Sequence, residues 1–139
     1  MIILRKSFKT EINPTGEQKS AISRTIGVCR FVYNLYIETN QKRYEAKEKF
    51  MSGMTFSVWL NNEYLPANPE KSWIKEVSSK AVKKAIMNAE QAFKRFFNGK
   101  AGFPKFKKKG KSDPKMYFGR NGAKQPIICQ WHRVKIPTL

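Results

Sequence analysis

Groups that carry catalysis or bind metals are scarce in this sequence, which has one histidine, two cysteines and ten acidic residues. Metal-dependent phosphodiester cleavage needs clustered carboxylates, whereas these ten are scattered, mostly among lysines and arginines on predicted helix faces. The single histidine, His132, lies between Trp131 and Arg133 in a predicted strand, which favours a surface or packing role over general-base catalysis. The sequence also lacks a glycine-rich phosphate loop and a nucleophile motif. We therefore expect no catalytic residue, no metal site and no cofactor in this chain.

Long apolar runs are absent as well. No stretch approaches the roughly 20 apolar residues of a membrane-spanning helix, and the start of the chain lacks the charged-then-apolar order of a signal peptide. Cys29 and Cys129 are far apart and have apolar neighbours, so free buried thiols are favoured over a disulfide. These absences predict a cytoplasmic protein without a membrane partner.

Positive charge is what the sequence has in excess. It contains 28 lysines and arginines against 10 acids, which gives a formal net charge of +18 and an isoelectric point near 10.1. A charge of this size repels itself in a compact molecule, so it usually persists because a polyanion neutralises it. From Gln91 to Leu139 the only acidic residue is Asp113. We therefore expect a phosphate-rich partner that binds mainly through this C-terminal part.

The beginning of the chain predicts a strand and then a long helix. Ile2–Thr10 begins with apolar residues and continues with an alternation of polar and apolar residues, a pattern that predicts a strand. Thr15 and Gln18 resemble a capping box at the start of a helix that reaches about Lys49, and Gly27 is a candidate bend or break within it. The apolar face of this helix is Ile22, Ile26, Cys29, Tyr33 and Tyr36.

Two further helices follow. Thr55 is the candidate N-cap of a short helix that Pro66 and Pro69 close. Another helix starts at Ser78-Ser79 and ends at Asn98-Gly99, since Gly and Asn tolerate the left-handed conformation at a helix C-terminus. Its lysines and arginines lie largely away from its apolar face, which consists of Val82, Ile86, Ala89, Phe93 and Phe96.

Beyond Gly102 the sequence predicts short strands and turns, with a tight turn at Asn121-Gly122. Isolated strands are unstable in water, so Ile2–Phe8 is expected to pair with the C-terminal strands in one small sheet. The predicted fold is α+β, with the helices inserted between strands. The short apolar pieces are Phe103–Phe106, Met116–Phe118, Ile127–Cys129 and Val134–Ile136.

Four stretches match blocks of one protein family. They are PTGEQKSAISRTIGVCRFVYN at Pro14–Asn34, WIKEVSSKAVKKAIMNAEQAFKRFF at Trp73–Phe97, GFPKFKKKGKSDPKMYF at Gly102–Phe118, and the run Arg133–Leu139. In this order they resemble the N-terminal part of TnpB (OrfB) proteins, whose signatures include Cys-Arg-Phe-Val-Tyr-Asn and Gly-Phe-Pro-x-Phe-Lys. The resemblance covers nearly the whole chain.

The resemblance implies a wedge domain, an oligonucleotide-binding-like β-barrel, interrupted by an α-helical recognition domain. Residues 1–12 would form the first wedge strand, residues 13–99 the recognition domain and residues 100–139 a truncated continuation of the wedge. The chain ends in apolar residues at Ile136–Leu139 without a polar tail, and we expect that it stops inside a domain.

The resemblance also implies a function. TnpB proteins are encoded by bacterial and archaeal insertion sequences and are related to compact type V CRISPR effectors. They bind a guide RNA and recognise a short motif in double-stranded target DNA. A RuvC-like, Mg-dependent nuclease domain and a four-cysteine zinc element are expected only in a C-terminal part missing here. This chain would then be a nucleoid-associated binding lobe that is not an enzyme alone.

Candidate binding residues follow from the resemblance and from the charge pattern. At Lys83 the sequence departs from relatives that carry an amide, which can grip adenine, because lysine favours guanine acceptors or phosphate. Phe103 and Phe106 could anchor their loop or stack on bases, and their spacing favours packing. Positions matching the family's motif-reading residues are Phe56, Ser79, Lys83 and Gly119. Candidate phosphate-binding residues are Arg30, Lys80, Lys84, Lys94, Arg95, Lys105, Lys107, Lys108, Lys109 and Lys111.

Two other functions fit parts of the sequence. Thr15–Arg43 could act as a helix-turn-helix in a stand-alone DNA-binding repressor that works without RNA. The composition alone would also fit a structural RNA-binding protein of the ribosomal kind.

Overall fold

The computed structural model describes residues 3–112, 114–118, 128–130 and 133–136. The structure contains a π-helical turn, Leu60–Tyr64, and a 3-10 helix, Pro69–Glu76, besides its α-helices and strands. None of the helices in these ranges is long and apolar enough to cross a membrane. The described elements are α1 (Gly16–Glu45), α2 (Gly53–Trp59), α3 (Leu65–Ala67), α4 (Ser79–Phe97), β1 (Ile128–Gln130) and β2 (Arg133–Lys135).

The first helix, α1, begins with the predicted capping box. The Thr15 hydroxyl accepts a hydrogen bond from the Gln18 N–H (3.3 Å), and the Gln18 side chain accepts one from the Thr15 N–H (2.8 Å). The helix then runs for 30 residues without interruption, so Gly27 does not break it. One glycine costs a helix only about 1 kcal/mol, whereas burying a valine such as Val28 or Val32 contributes about 1.5–3 kcal/mol.

The buried face of α1 is broader than the predicted stripe. Cys29 and Tyr36 are buried as predicted, while Ile22, Ile26 and Tyr33 are half-buried. The face widens because α4 covers one part of α1 and the α1–α2 connection covers another. Buried residues outside the predicted stripe are Thr25, Val28, Val32, Ile37 and Asn40.

The second helix starts earlier than predicted and has a different cap. Ser52, not Thr55, is the N-cap, because the Ser52 hydroxyl accepts a hydrogen bond from the Thr55 N–H (3.2 Å). Pro66 lies in the first turn of α3, where its missing N–H is tolerated. The helical segment therefore passes Pro66 and ends at Ala67, before Pro69.

The predicted boundaries and apolar face of α4 are confirmed. Its N-cap Ser78 accepts a hydrogen bond from the Lys80 N–H (3.3 Å). The helix ends at Phe97, and Gly99 then adopts a φ of +70° that glycine tolerates without strain. Of the predicted apolar positions, Ile86, Ala89 and Phe93 are buried and Val82 and Phe96 are half-buried.

Aromatic rings fill the core between α1, α2 and α4. The ring of Tyr36 on α1 contacts Phe56 on α2 and Phe93 on α4 at centroid distances of 5.0 and 5.9 Å. Phe103, from the segment after α4, packs edge-on against Phe93 (5.5 Å) and Phe96 (5.2 Å). The same aromatic cluster therefore joins the helices and holds the first residues of the following loop.

The described sheet is smaller than predicted. Strands β1 and β2 pair in antiparallel register, with Cys129 opposite Val134, close to two of the predicted strands. The strand predicted for Ile2–Phe8 is not observed, since residues 3–10 lie outside any strand and their side chains are exposed. The pieces Phe103–Phe106 and Met116–Phe118 also form no strand.

The predicted α+β barrel is not formed within the described residues. A closed barrel needs several staggered strands, and β1 and β2 make only a two-stranded ladder. The expected pairing of the first strand with the C-terminal strands is therefore wrong for residues 3–8. The predicted turn at Asn121-Gly122 lies outside the described residues.

Candidate nucleic-acid interface

A groove of about 410 Å³ lies between the π-helical turn and the first half of α4. Its floor includes Leu60 and Ile86, and its rim carries the polar side chains of Asn61, Ser79 and Lys83. Two of the predicted motif-reading residues, Ser79 and Lys83, thus share one exposed groove. An apolar floor with a few polar groups around it is typical of a ligand-binding site.

Phe56 does not belong to the exposed surface of this groove. Its side chain is 0% exposed and contacts Tyr36 (5.0 Å) and Trp59 (5.5 Å) within the core. A base cannot reach the ring of Phe56 in this conformation, so a direct contact of Phe56 with DNA stays an untested prediction. Its spacing to Leu60 on the same helix face was the signal for a packing role. Gly119 lies outside the described residues.

A second groove, of about 450 Å³, adjoins the first at the start of α4. It shares Lys75, Val77 and Ser79 with the first groove, and Arg24 of α1 and the acidic Glu76 also line it. Arg24 was not among the predicted phosphate-binding residues, because the sequence does not show that this part of α1 lies close to the start of α4. The fold brings its cationic side chain to the same end of α4 as Lys75.

The predicted cations of α4 differ in their surroundings. Arg95 is exposed, and Lys80 and Lys84 are partly exposed. Lys94 differs, since its ammonium lies 3.3 Å from the Glu90 carboxylate. The other oxygen of Glu90 accepts a hydrogen bond from the backbone N–H of Gly53 at the start of α2. Lys94 therefore supports the junction of α2 and α4 and is less available to phosphate than the other four predicted cations of this helix.

Residues 103–112, here called the basic loop, form an ordered turn after α4. The carbonyl of Lys108 accepts hydrogen bonds from the N–H groups of Lys111 (3.2 Å) and Ser112 (2.9 Å). Gly110 has a φ of +81°, a left-handed conformation that favours glycine. Four of the predicted phosphate-binding residues are exposed on this loop, namely Lys105, Lys108, Lys109 and Lys111.

Lys107, by contrast, faces inward and anchors the basic loop to α1. The Asn34 side chain accepts a hydrogen bond from the Lys107 N–H (2.8 Å) and donates one to the Lys107 carbonyl (2.8 Å). The Lys107 ammonium lies 4.2 Å from the centroid of the Tyr33 ring. Burial, with a smaller contribution from the nearby charge of Lys115, holds the pKa of Lys107 below its ordinary value. Burial raises the pKa of Tyr33.

Arg30 lies half-buried beside this anchor. It lines a small cavity together with Tyr33, Lys107 and Cys29. Burial raises the pKa of the Cys29 thiol to about 11, so this free cysteine is protonated at neutral pH. The structure thus brings Arg30 and Lys107, two predicted phosphate-binding residues, to one junction of α1 and the basic loop.

The two phenylalanines of the basic loop separate into different roles. Phe103 is half-buried against Phe93 and Phe96, as its spacing predicted. Phe106 keeps 46% of its surface exposed between Lys105 and Lys107. Of the two, Phe106 is the side chain that a base could reach.

Several known proteins are similar to this chain. A family model, the helix-turn-helix domain of OrfB from IS605, matches residues 1–49. InsQ from Escherichia coli, assigned by inference as an RNA-guided DNA endonuclease, is 33% identical over 112 residues, which are 81% of this chain and 27% of InsQ. A protein of Streptomyces pristinaespiralis with the same kind of assignment is 28% identical over 142 residues, 94% of this chain and 35% of that protein.

This chain is TnpB/OrfB-like. It corresponds to the N-terminal part of TnpB/OrfB proteins and spans about a third or less of the two relatives just described. Virulence protein VsdF of Salmonella dublin is also similar, with 29% identity over 116 residues, 75% of this chain and 93% of VsdF. The resemblance to the N-terminal part of TnpB/OrfB proteins, which four stretches of the sequence indicated, is confirmed.

The matched TnpB/OrfB helix-turn-helix region contains one long helix in this structure. Residues 16–45 form α1 without a turn, and residues 3–15 before it are outside any helix or strand. The family model carries the helix-turn-helix name, but within the described residues Thr15–Arg43 shows no turn between two helices. A helix-turn-helix places its second helix in the major groove, which takes two helices joined by a short turn.

Sequence reasoning missed the polar side chains that hold the TnpB/OrfB-type motifs together. Asn34, the last residue of the Cys-Arg-Phe-Val-Tyr-Asn motif, binds the backbone of Lys107, and Asn40 binds the backbone of Met51. Their interior position on a helix was the available signal, since asparagine is a poor helix former. Within the described part of the chain, no group of three or more His, Cys, Asp or Glu residues could hold a metal ion.

Proposed function

We propose that this chain forms the guide-RNA and target-DNA binding lobe of a transposon-associated RNA-guided DNA endonuclease. In this proposal residues 13–99 are the recognition domain, and residues 1–12 and 100–139 contribute to the wedge domain. Cleavage by Mg-dependent nuclease residues, and zinc binding, belong to a further part of the same protein. The inferred activities of InsQ and of the Streptomyces protein support this assignment.

The observation that carries the proposal is the groove between the π-helical turn and α4. Ser79 and Lys83 lie on its exposed rim with Asn61, above an apolar floor. Hydroxyl, ammonium and amide groups can hydrogen-bond to the edges of bases, and lysine favours the acceptors of guanine. We assign to this groove the recognition of a short DNA motif adjacent to the transposon.

Phosphate binding is assigned to the exposed cations around the groove and on the basic loop. Lys80, Lys84 and Arg95 of α4 lie away from the core, and four lysines of the basic loop are exposed. Such contacts position a nucleic acid without reading its sequence. Each phosphate neutralised on duplex DNA contributes roughly 0.9 to the slope of log affinity against log salt concentration.

The motif assignment is tested by selecting duplexes with a randomised flanking sequence on the purified chain. Lys83→Ala should change which flanking bases are retained. Lys49→Ala, which removes an exposed lysine from the α1–α2 connection, should leave the base preference unchanged. An identical preference for the wild type and Lys83→Ala would remove Lys83 from the motif-reading residues.

The competing functions predict different bound nucleic acids. Purification of the chain from cells, followed by treatment with ribonuclease or deoxyribonuclease, should identify structured RNA that co-purifies with it. Naked duplex binding without RNA would favour a stand-alone repressor, although the uninterrupted α1 gives that alternative no structural support. RNA binding without any dependence on a flanking DNA motif would favour a structural RNA-binding protein.

A further inference from the structure

Two asparagine side chains of α1 each bind a peptide group from a neighbouring loop. Asn34 exchanges two hydrogen bonds of 2.8 Å with the N–H and carbonyl of Lys107. Asn40 accepts a hydrogen bond from the Met51 N–H (2.8 Å) and donates one to the Met51 carbonyl (3.2 Å). The chemistry of the two contacts is the same, because a carboxamide presents one acceptor and one donor to a peptide edge.

The two contacts differ in what they join. Met51 follows Asn40 by 11 residues, so Asn40 closes the local connection from α1 to α2. Lys107 follows Asn34 by 73 residues, so Asn34 ties the basic loop to a helix that is distant in sequence. Tyr36 also donates a hydrogen bond to the Met51 carbonyl (2.8 Å), which gives that connection a second support.

The basic loop is held at two points. Phe103 fixes its beginning by packing against Phe93 and Phe96, and Lys107 fixes its middle through Asn34 and Tyr33. The lysines on either side of Lys107 remain exposed. The backbone contact therefore sets where those ammonium groups lie relative to α1.

We propose that Asn34 is a positioning residue for nucleic-acid binding, which holds the exposed lysines of the basic loop in a fixed arrangement that fits a phosphate backbone. This inference rests on the proposed function, since it requires that the basic loop contacts phosphates. Lys107 is then an anchor for the loop, and the phosphate ligands are its exposed neighbours Lys105, Lys108, Lys109 and Lys111.

The physical reason is preorganisation. A loop that is already ordered loses less conformational entropy when its side chains bind a partner. Replacing Asn34 by alanine removes both hydrogen bonds and leaves the half-buried peptide of Lys107 without its partner. Because each bond contributes a modest net free energy, we expect roughly tenfold weaker binding.

The test compares Asn34→Ala with Asn40→Ala, a matched pair from the same helix. Both variants should lower the midpoint of thermal unfolding, since each removes two hydrogen bonds to a loop peptide; Asn40→Ala also removes a long one (3.5 Å) to the Tyr36 carbonyl. Affinity for a labelled duplex is measured at several salt concentrations. Asn34→Ala should bind roughly tenfold more weakly and show a shallower salt dependence, whereas Asn40→Ala should keep the wild-type salt dependence.

A second comparison asks whether Asn34 acts through the loop. In a background carrying Lys108→Gln and Lys109→Gln, Asn34→Ala should cause a smaller further loss of affinity than in the wild type. Equal losses in both backgrounds, or the same loss of affinity and salt dependence for Asn34→Ala and Asn40→Ala, would overturn the inference. A wild-type chain that binds no nucleic acid would instead overturn the proposed function.

A third variant covers the case in which Asn34→Ala does not fold. Asn34→Asp keeps the size of the side chain and the acceptor for the Lys107 N–H but cannot donate to the Lys107 carbonyl when it is ionised. Trypsin should cut the basic loop of Asn34→Asp faster than that of the wild type, and Asn40→Asp should not change this rate. Unchanged cleavage in Asn34→Asp would contradict the role of Asn34 in fixing the loop.

Discussion

Individual side chains on the cationic surface differ in how freely they can meet a phosphate. Lys108 and Lys109 are exposed, whereas the Lys107 ammonium lies over Tyr33 and the Lys94 ammonium lies beside Glu90. An exposed ion pair contributes little to stability, but it lowers the charge that a partner can use. A count of lysines along the sequence therefore overstates the number of phosphate contacts.

Substitution of glycine by alanine should have opposite effects on stability at Gly53 and at Gly27. A Cβ at Gly53 would lie 3.1 Å from the Glu90 carboxylate and 3.2 Å from Ile86, so these side chains or the start of α2 would have to shift by a few tenths of an ångström. Gly53→Ala should destabilise the chain by about 1–2 kcal/mol. A Cβ at Gly27 meets only Arg30 at 3.9 Å, so Gly27→Ala should stabilise α1 by about 0.5–1 kcal/mol.

Urea unfolding of both glycine variants measures these effects. The contrast between them is the decisive quantity, because each variant adds one methyl group to the same protein. A stabilised Gly53→Ala would contradict the close approach of α2 and α4. A destabilised Gly27→Ala would contradict the uninterrupted course of α1.

The buried thiol of Cys29 predicts a loss of stability in alkali. Its pKa in the folded chain, about 11, lies above the ordinary value of 9.0 because of burial, so the folded state holds the proton more tightly than the unfolded state. This contribution is fully present below pH 9 and is lost as the pH rises through 11. Its size is roughly 2–3 kcal/mol.

Comparison with Cys29→Ala isolates this contribution, because the tyrosines, the lysines and Cys129 titrate in both proteins. The difference in unfolding free energy between wild type and variant should shift by that amount between pH 9 and 11, to the disadvantage of the wild type. A difference that stays constant over this range would show that the Cys29 thiol is not buried as described.

At the scale of the elements, the long helices and the two C-terminal strands could be predicted from sequence, whereas the state of the N-terminal segment could not. The apolar spacing of α4 and the capping box of α1 depend on residues a few positions apart, so they are visible in the sequence. Strand pairing depends on distant residues, and the alternation in Ile2–Phe8 does not reveal whether a partner strand is present. The contact of Asn34 with Lys107 could not be predicted for the same reason, because the two residues are 73 positions apart in the sequence.

The residues of the candidate site could be predicted only in part from the sequence. The resemblance to TnpB proteins indicated Ser79 and Lys83, which share a groove, but it also indicated Phe56, which the fold buries. Matching a position to a family motif does not give the exposure of its side chain. Arg24 was missed because only the folded chain brings α1 close to the start of α4.

The segment before α1 gives a prediction at this scale. Residues 3–13 are exposed and lie outside any helix or strand, and Phe8 is 89% exposed. Trypsin should therefore cleave the isolated chain first after Arg5, Lys6 and Lys9, and much later within α4, as followed by mass spectrometry. Protection of Arg5, Lys6 and Lys9 in the isolated chain would indicate that the segment is already paired as a strand.

At the scale of the whole molecule, net charge dominates the behaviour of the chain. A formal charge of +18 on 139 residues opposes the compact state and attracts polyanions. The aromatic core between α1, α2 and α4 offsets the repulsion and holds the cations on a defined surface. The groove beside α4 and the basic loop are the two parts of that surface to which we assign nucleic-acid binding.

The salt dependence of duplex DNA binding tests this account most directly. The four exposed lysines of the basic loop alone predict a slope of log affinity against log salt concentration of about −3.6 or steeper. Replacing those four lysines by glutamine should make the slope shallower while leaving thermal unfolding nearly unchanged. A wild-type slope between zero and about −1, or no binding in dilute buffer, would contradict the claim that this surface holds a nucleic acid through its phosphates.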